Sequence, residues 1–95
     1  MDTEKCAALL CALEEGTLAR AAEKLGYTPS GISRMVAALE EELGISIFER
    51  PTRRVELTPA GRDFVAYAEQ MMVCYEGMLH AMEQHRSNGK RSLRV

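Results

Sequence analysis

Apolar residues recur along the chain at helical spacing in a series of stretches, each closed by a glycine or a cap. Cys6, Leu9, Leu10 and Leu13 follow at three- and four-residue steps, which predicts a helix over Thr3–Glu15 that stops at Gly16. Leu18, Ala21, Ala22 and Leu25 share one face of a shorter helix that Thr17 caps and Gly26 ends, and the small Ala22 permits close helix approach. After the turn Gly26–Tyr27–Thr28, Thr28 is an N-cap and Pro29 fits the first helical position, where a missing N–H costs nothing. The third helix opened there carries Ile32, Val36, Leu39 and Leu43 at steps of four, three and four, and stops at Gly44. Ser30, Ser33, Arg34 and Ala37 fall on its opposite face.

Beyond Gly44 the pattern shortens to two β-prone pieces, Ile45–Phe48 and Val55–Leu57, joined by Glu-Arg-Pro-Thr-Arg-Arg, which predicts a small hairpin. Thr58–Pro59 repeats the cap-then-proline opening, and only Gly61 and Gly77 interrupt the stretch before Ser87–Asn88–Gly89. That predicts a helix of about 27 residues, about 40 Å long. A head of residues 1–58 cannot cover such a helix. Phe64, Ala68, Met71, Tyr75, Met78 and Met82 recur along it at steps of 4, 3, 4, 3 and 4, the 3.5-residue period of a helix–helix seam. The expected class is mainly α: three helices and a two-stranded wing over 1–58, a long dimerisation helix over 59–87, and a hinge-like tail over 88–95.

With 46% hydrophobic and 27% charged residues in 95, the chain is apolar enough to fold. No apolar run approaches the roughly 18 residues that span a bilayer, and the acidic start Met-Asp-Thr-Glu-Lys is unlike a secretory signal. The cytoplasm is the expected compartment, with no membrane partner. Cys6, Cys11 and Cys74 lack Cys-x-x-Cys spacing and read as reduced structural thiols. His80 and His85 lie five apart rather than at i, i+4, and a methionine stripe of Met71, Met72, Met78 and Met82 reads as packing. No metal or cofactor is expected. No nucleophile stands with a base and orienter, and no phosphate-binding glycine loop is present, so an enzyme reading has no support.

The net charge of −2 argues against a nucleic-acid partner until its distribution is considered. Residues 1–49 hold four basic residues, Lys5, Arg20, Lys24 and Arg34, against nine acidic ones, whereas residues 50–95 hold eight basic against five acidic. Arg50, Arg53 and Arg54 cluster in the hairpin. A helix, a three-residue turn with glycine and a second helix is the helix-turn-helix pattern, whose second helix lies in the DNA major groove. An ordinary helical hairpin with a solvated polar face has the same periodicity. Ser30, Ser33 and Arg34 could bond base edges or phosphates, Thr28 suits a cap, and Pro29 suits helix entry with a ring able to touch a thymine methyl. The hairpin arginines read either as a solubilising loop or as a wing reaching phosphates or a minor groove.

The blocks Gly16-Thr-Leu-Ala-Arg-Ala-Ala-Glu-Lys-Leu25, Thr28-Pro-Ser-Gly-Ile-Ser-Arg34, Leu39-Glu-Glu-Glu-Leu-Gly44, Phe48-Glu-Arg50 and Leu57-Thr-Pro-Ala-Gly61 together resemble the N-terminal domain of LysR-type transcriptional regulators. The resemblance covers nearly the whole chain. It implies a bacterial, sequence-specific DNA-binding transcription factor domain that meets an imperfect palindrome of the T-N11-A type as a homodimer. It places Thr28, Pro29, Ser30, Ser33 and Arg34 at the recognition-helix contacts, Thr17 and Arg20 near the backbone, and Arg50 and Arg53, with Arg54 beside them, on the wing. It also implies a tetramer in many full-length relatives, nucleoid association, and an effector-sensing C-terminal domain that this chain lacks, as in an excised fragment ending near the hinge.

Three positions depart from the family pattern. Pro29 stands where glutamine is frequent, which removes a side chain able to read adenine in a bidentate way. Gly31 replaces an alanine and should loosen the helix start by up to about 1 kcal/mol. Arg54 replaces a wing-tip glycine, adding charge where positive φ is best tolerated by glycine. Two rival readings stand beside this one: a winged-helix protein-interaction module without DNA binding, and a cysteine-based redox sensor working through Cys11.

Overall fold

The computed structural model describes residues 2–49 and 54–92, with the side chains of 88–92 left aside. Its elements are α1 (Thr3–Glu15), α2 (Leu18–Leu25), α3 (Pro29–Leu43) and α4 (Pro59–Ser92). The first three match the expected spans. Each of their starts is closed by a side-chain cap: Asp2 accepts from the Lys5 N–H, Thr17 from Arg20 and Thr28 from Gly31, at 2.9, 3.1 and 3.0 Å. Each of their ends turns through a left-handed glycine, Gly16, Gly26 or Gly44.

Two apolar clusters join at Phe48, which packs against both. Ala8 and Ala12 of α1, Ala21 and Ala22 of α2 and Ile32 of α3 form the first. Its small side chains let the helix-turn-helix pack close to α1. Leu9, Leu39, Ile47 and Val65 form the second, which ties α1 and α3 to α4. Two expectations change here. Ala8 and Ala12, rather than Leu10 and Leu13, are fully buried on α1. Leu25, expected on the buried face of α2, is 40% exposed, because it sits in the last turn while Tyr27 packs against the alanine cluster.

The hairpin also differs from two full strands. Among the described residues it is a single antiparallel bridge, Phe48 with Leu57, flanked by Glu49 N–H to Glu56 O at 2.7 Å and Thr58 N–H to Ile47 O at 2.9 Å. Three further amides of the pair bond to the helices instead. One oxygen of the Glu40 carboxylate accepts from both Ile47 N–H and Phe48 N–H, at 2.7 and 3.2 Å. Val55 N–H donates to Gly16 O at 3.0 Å, so the returning piece is tied to the α1–α2 corner.

Thr58 anchors the start of α4. Its Oγ1 accepts from Gly61 N–H at 2.8 Å and donates to Ser46 O at 2.5 Å. Gly61 is a packing residue more than a breaker: a Cβ there would lie 2.2 Å from Ile47 O. The helix does not end at Ser87–Gly89 but continues to Ser92. Thirty-four residues of helix leave the molecule 55 Å long against 26 and 20 Å across.

Candidate nucleic-acid interface

Thr28 and Pro29 open α3 at the surface, and Ser30, Ser33 and Arg34 stand exposed on its outward face, opposite buried Ile32, Val36 and Leu39. Packing therefore orients the helix so that its polar side is free. Thr28 acts as the cap through Oγ1, while its carbonyl accepts from Ile32 N–H at 3.1 Å. A methyl group on Gly31 would approach that same cap oxygen to 3.0 Å, which shows why the smallest residue sits easily there. Arg34 has no ion pair among the described residues.

Thr17 is half-buried and spends its hydroxyl on the α2 cap, whereas the Arg20 side chain is exposed and lies 3.8 Å from a Glu15 oxygen. Lys24 reaches the other Glu15 oxygen at 3.2 Å, and that carboxylate holds the Lys24 ammonium above its usual range, first through the hydrogen bond and then through charge. Arg54 is exposed on the returning side of the wing. Arg50 and Arg53 lie outside the described residues, so the wing's expected cluster is seen only at Arg54.

The turn between α2 and α3 is braced from α1: Tyr27 OH donates to Glu4 Oε2 at 2.6 Å. This bond, the paired amides on Glu40 and the close approach at Gly61 are positioning features that periodicity does not reveal.

The expected seam on α4 divides in two. Ala68 is 2% exposed within a single chain, and Phe64 packs on the second cluster, so both are engaged by the head. Met71 and Tyr75 are half-buried, and Met78 and Met82 are exposed together with Leu79, farther along the helix. Among the described residues there is no group of acidic, histidine and cysteine side chains that could hold a metal ion, and no helix long and apolar enough to cross a membrane.

Residues 3–62 match the family described as bacterial regulatory helix-turn-helix protein, lysR family. The chain belongs to the LysR family. The HTH-type transcriptional activator AllS of Klebsiella pneumoniae is 33% identical over the whole chain, which spans 35% of AllS. The DNA-binding domain of BenM, solved with benA site 1 DNA, superposes with a TM-score of 0.84 at 32% identity, covering 92% of this chain and 98% of that domain. The DNA-binding domain of CbnR, also solved with DNA, gives 0.74 at 30% identity, covering 96% and 99%. The mainly helical winged helix-turn-helix with a long following helix is thus the LysR head.

Proposed function

We propose that this chain is the operator-reading head of a LysR-type transcriptional regulator: it binds double-stranded DNA with sequence preference, as a homodimer, on an imperfect palindrome. The observation that carries the reading is the outward face of α3, where Ser30, Ser33 and Arg34, which has no ion pair among the described residues, stand exposed in the N-terminal half of the helix. Ser30, Ser33 and Arg34 contact base edges or nearby phosphates. Thr28 and Pro29 set the helix entry, Thr17 and Arg20 lie toward the backbone, and Arg50, Arg53 and Arg54 serve the wing. That BenM and CbnR heads of the same shape were solved on DNA supports the assignment.

The homodimer forms through the part of α4 beyond the head, with Met71, Tyr75, Met78 and Met82 in the seam and Leu79 beside them. The head over 1–58, the linker helix over 59–87 and a hinge over 88–95 belong to a longer regulator whose C-terminal domain senses a small-molecule effector, in keeping with the 35% share of AllS that the chain spans. Such a regulator works in the cytoplasm, on the nucleoid, without enzymatic activity of this head.

The test is fluorescence anisotropy of the 95-residue chain on a labelled random duplex and on a T-N11-A palindrome across a salt series. A steep salt slope with preference for the palindrome is the expected result, because phosphate contact releases counterions and paired helices read paired half-sites. Absence of binding to both duplexes would overturn the reading in favour of a protein-interaction module that uses the apolar outer half of α4.

A further inference from the structure

The cations of the first 49 residues are largely spoken for within the fold. Lys5 lies 3.5 Å from Asp2, Arg20 3.8 Å from Glu15 and Lys24 3.2 Å from Glu15, which leaves Arg34 as the one without an ion pair among the described residues. Glu15 differs from Asp2, the other carboxylate in this set. It occupies the last turn of α1, where the negative end of the helix dipole disfavours a carboxylate. Two cations from α2, across the Gly16–Thr17 corner, supply the compensation. Its side chain is only 21% exposed while those of Arg20 and Lys24 are 69% and 58% exposed, so the carboxylate is tucked in and the cations lie over it.

We propose that Glu15 sets how strongly this head grips duplex DNA in general, by competing with phosphate for Arg20 and Lys24 and so leaving discrimination to α3. The inference rests on the DNA-binding reading above. Glu15 touches no DNA in this scheme and acts through the two cations. A phosphate approaching α2 meets a cluster with a net charge of about +1 rather than +2, and part of its attraction is spent on displacing an existing partner. Sequence-independent binding is weakened more than operator binding, since base contacts from α3 do not pass through the cluster. An acidic chain of net charge −2 thus tunes its small set of cations instead of carrying more of them.

The experiment compares the native chain with Glu15→Gln and Glu15→Asp on a random duplex, across a salt series, with thermal melts of each. Glu15→Gln keeps size and hydrogen bonding but removes the charge. It is expected to tighten random-duplex binding roughly twofold to fivefold at about 0.1 M salt and to steepen the salt slope. Glu15→Asp, which keeps the charge, is expected to stay near native. The gain should vanish when Glu15→Gln is combined with Arg20→Ala and Lys24→Ala, because no cation is left to release. A Glu15→Gln protein that melts normally but binds no tighter, or a gain that survives loss of both cations, would sink the inference while leaving the DNA reading intact. If the native chain and all variants ignore every duplex at every salt concentration, the DNA reading fails and this inference fails with it.

Discussion

Arg34 stands exposed on α3 without an ion pair among the described residues, so its guanidinium keeps its donors for a partner. Arg34→Ala is expected to cost about 1–3 kcal/mol of operator affinity, read by titration, and an unchanged affinity would remove Arg34 from the interface. Tyr27 lends itself to a pH measurement. Its hydrogen bond to Glu4 is the main cause, with burial and the nearby carboxylate adding to it, that holds its phenol above the usual tyrosine range. A raised folded value means the bond's contribution is fully present below the ordinary phenol range and is lost as pH climbs through the folded value. Glu4→Gln should therefore bring the Tyr27 titration downward, followed by phenolate absorbance, and a titration that does not move would show that the bond is not formed. The thiols form a graded series. Burial pushes Cys6 and Cys11 up, which makes them poor nucleophiles, while Cys74 is exposed. A disulfide reagent should label Cys74 first, and fast labelling of Cys11 would revive the redox-sensor reading.

At the scale of elements, the described base of the wing is fastened to the helices around it. Glu40 hands one carboxylate oxygen to two amides, and Ile47 is fully buried, so Glu40→Ala would strand a buried N–H. We expect a loss of about 1–3 kcal/mol in a denaturant melt, while Glu40→Gln, which retains an acceptor oxygen, should lose less. Where α4 crosses the wing base, Gly61 admits no side chain. A methyl group 2.2 Å from Ile47 O must push two backbones apart, so Gly61→Ala should destabilise the head by about 1–3 kcal/mol or more. An unaltered melt would mean that α4 is free to shift on the head.

At the scale of the molecule, α4 serves the head with its first turns and projects beyond it with the rest. Met82 lies 54% exposed on the projecting part, away from both apolar clusters. Met82→Glu should leave the thermal melt of the head almost unchanged yet weaken pairing roughly tenfold or more in sedimentation, since a charge would enter the seam unpaired. Undiminished pairing would place the dimer contact on another face. The division of the Phe64–Met82 stripe shows how far periodicity carries. A 3.5-residue repeat identifies an apolar face without naming what covers it, and here the head takes Phe64 and Ala68 while Met78 and Met82 remain outside.

The amino-acid sequence by itself determined the spans of the first three helices and the buried and exposed faces of α3, because Thr and Pro caps, glycine stops and apolar spacing act within a few residues, whereas packing decided that Ala8 and Ala12 would be buried on α1 and Leu25 exposed on α2. It also carried the family, through five ordered blocks that residues 3–62 confirm. Tertiary structure alone decided which carboxylate would serve the wing amides, which glycine would admit a backbone carbonyl, and which arginine would meet Glu15. Those contacts join residues such as Glu40 and Phe48, Gly61 and Ile47, or Tyr27 and Glu4, whose proximity follows from how the helices pack and not from spacing along the chain.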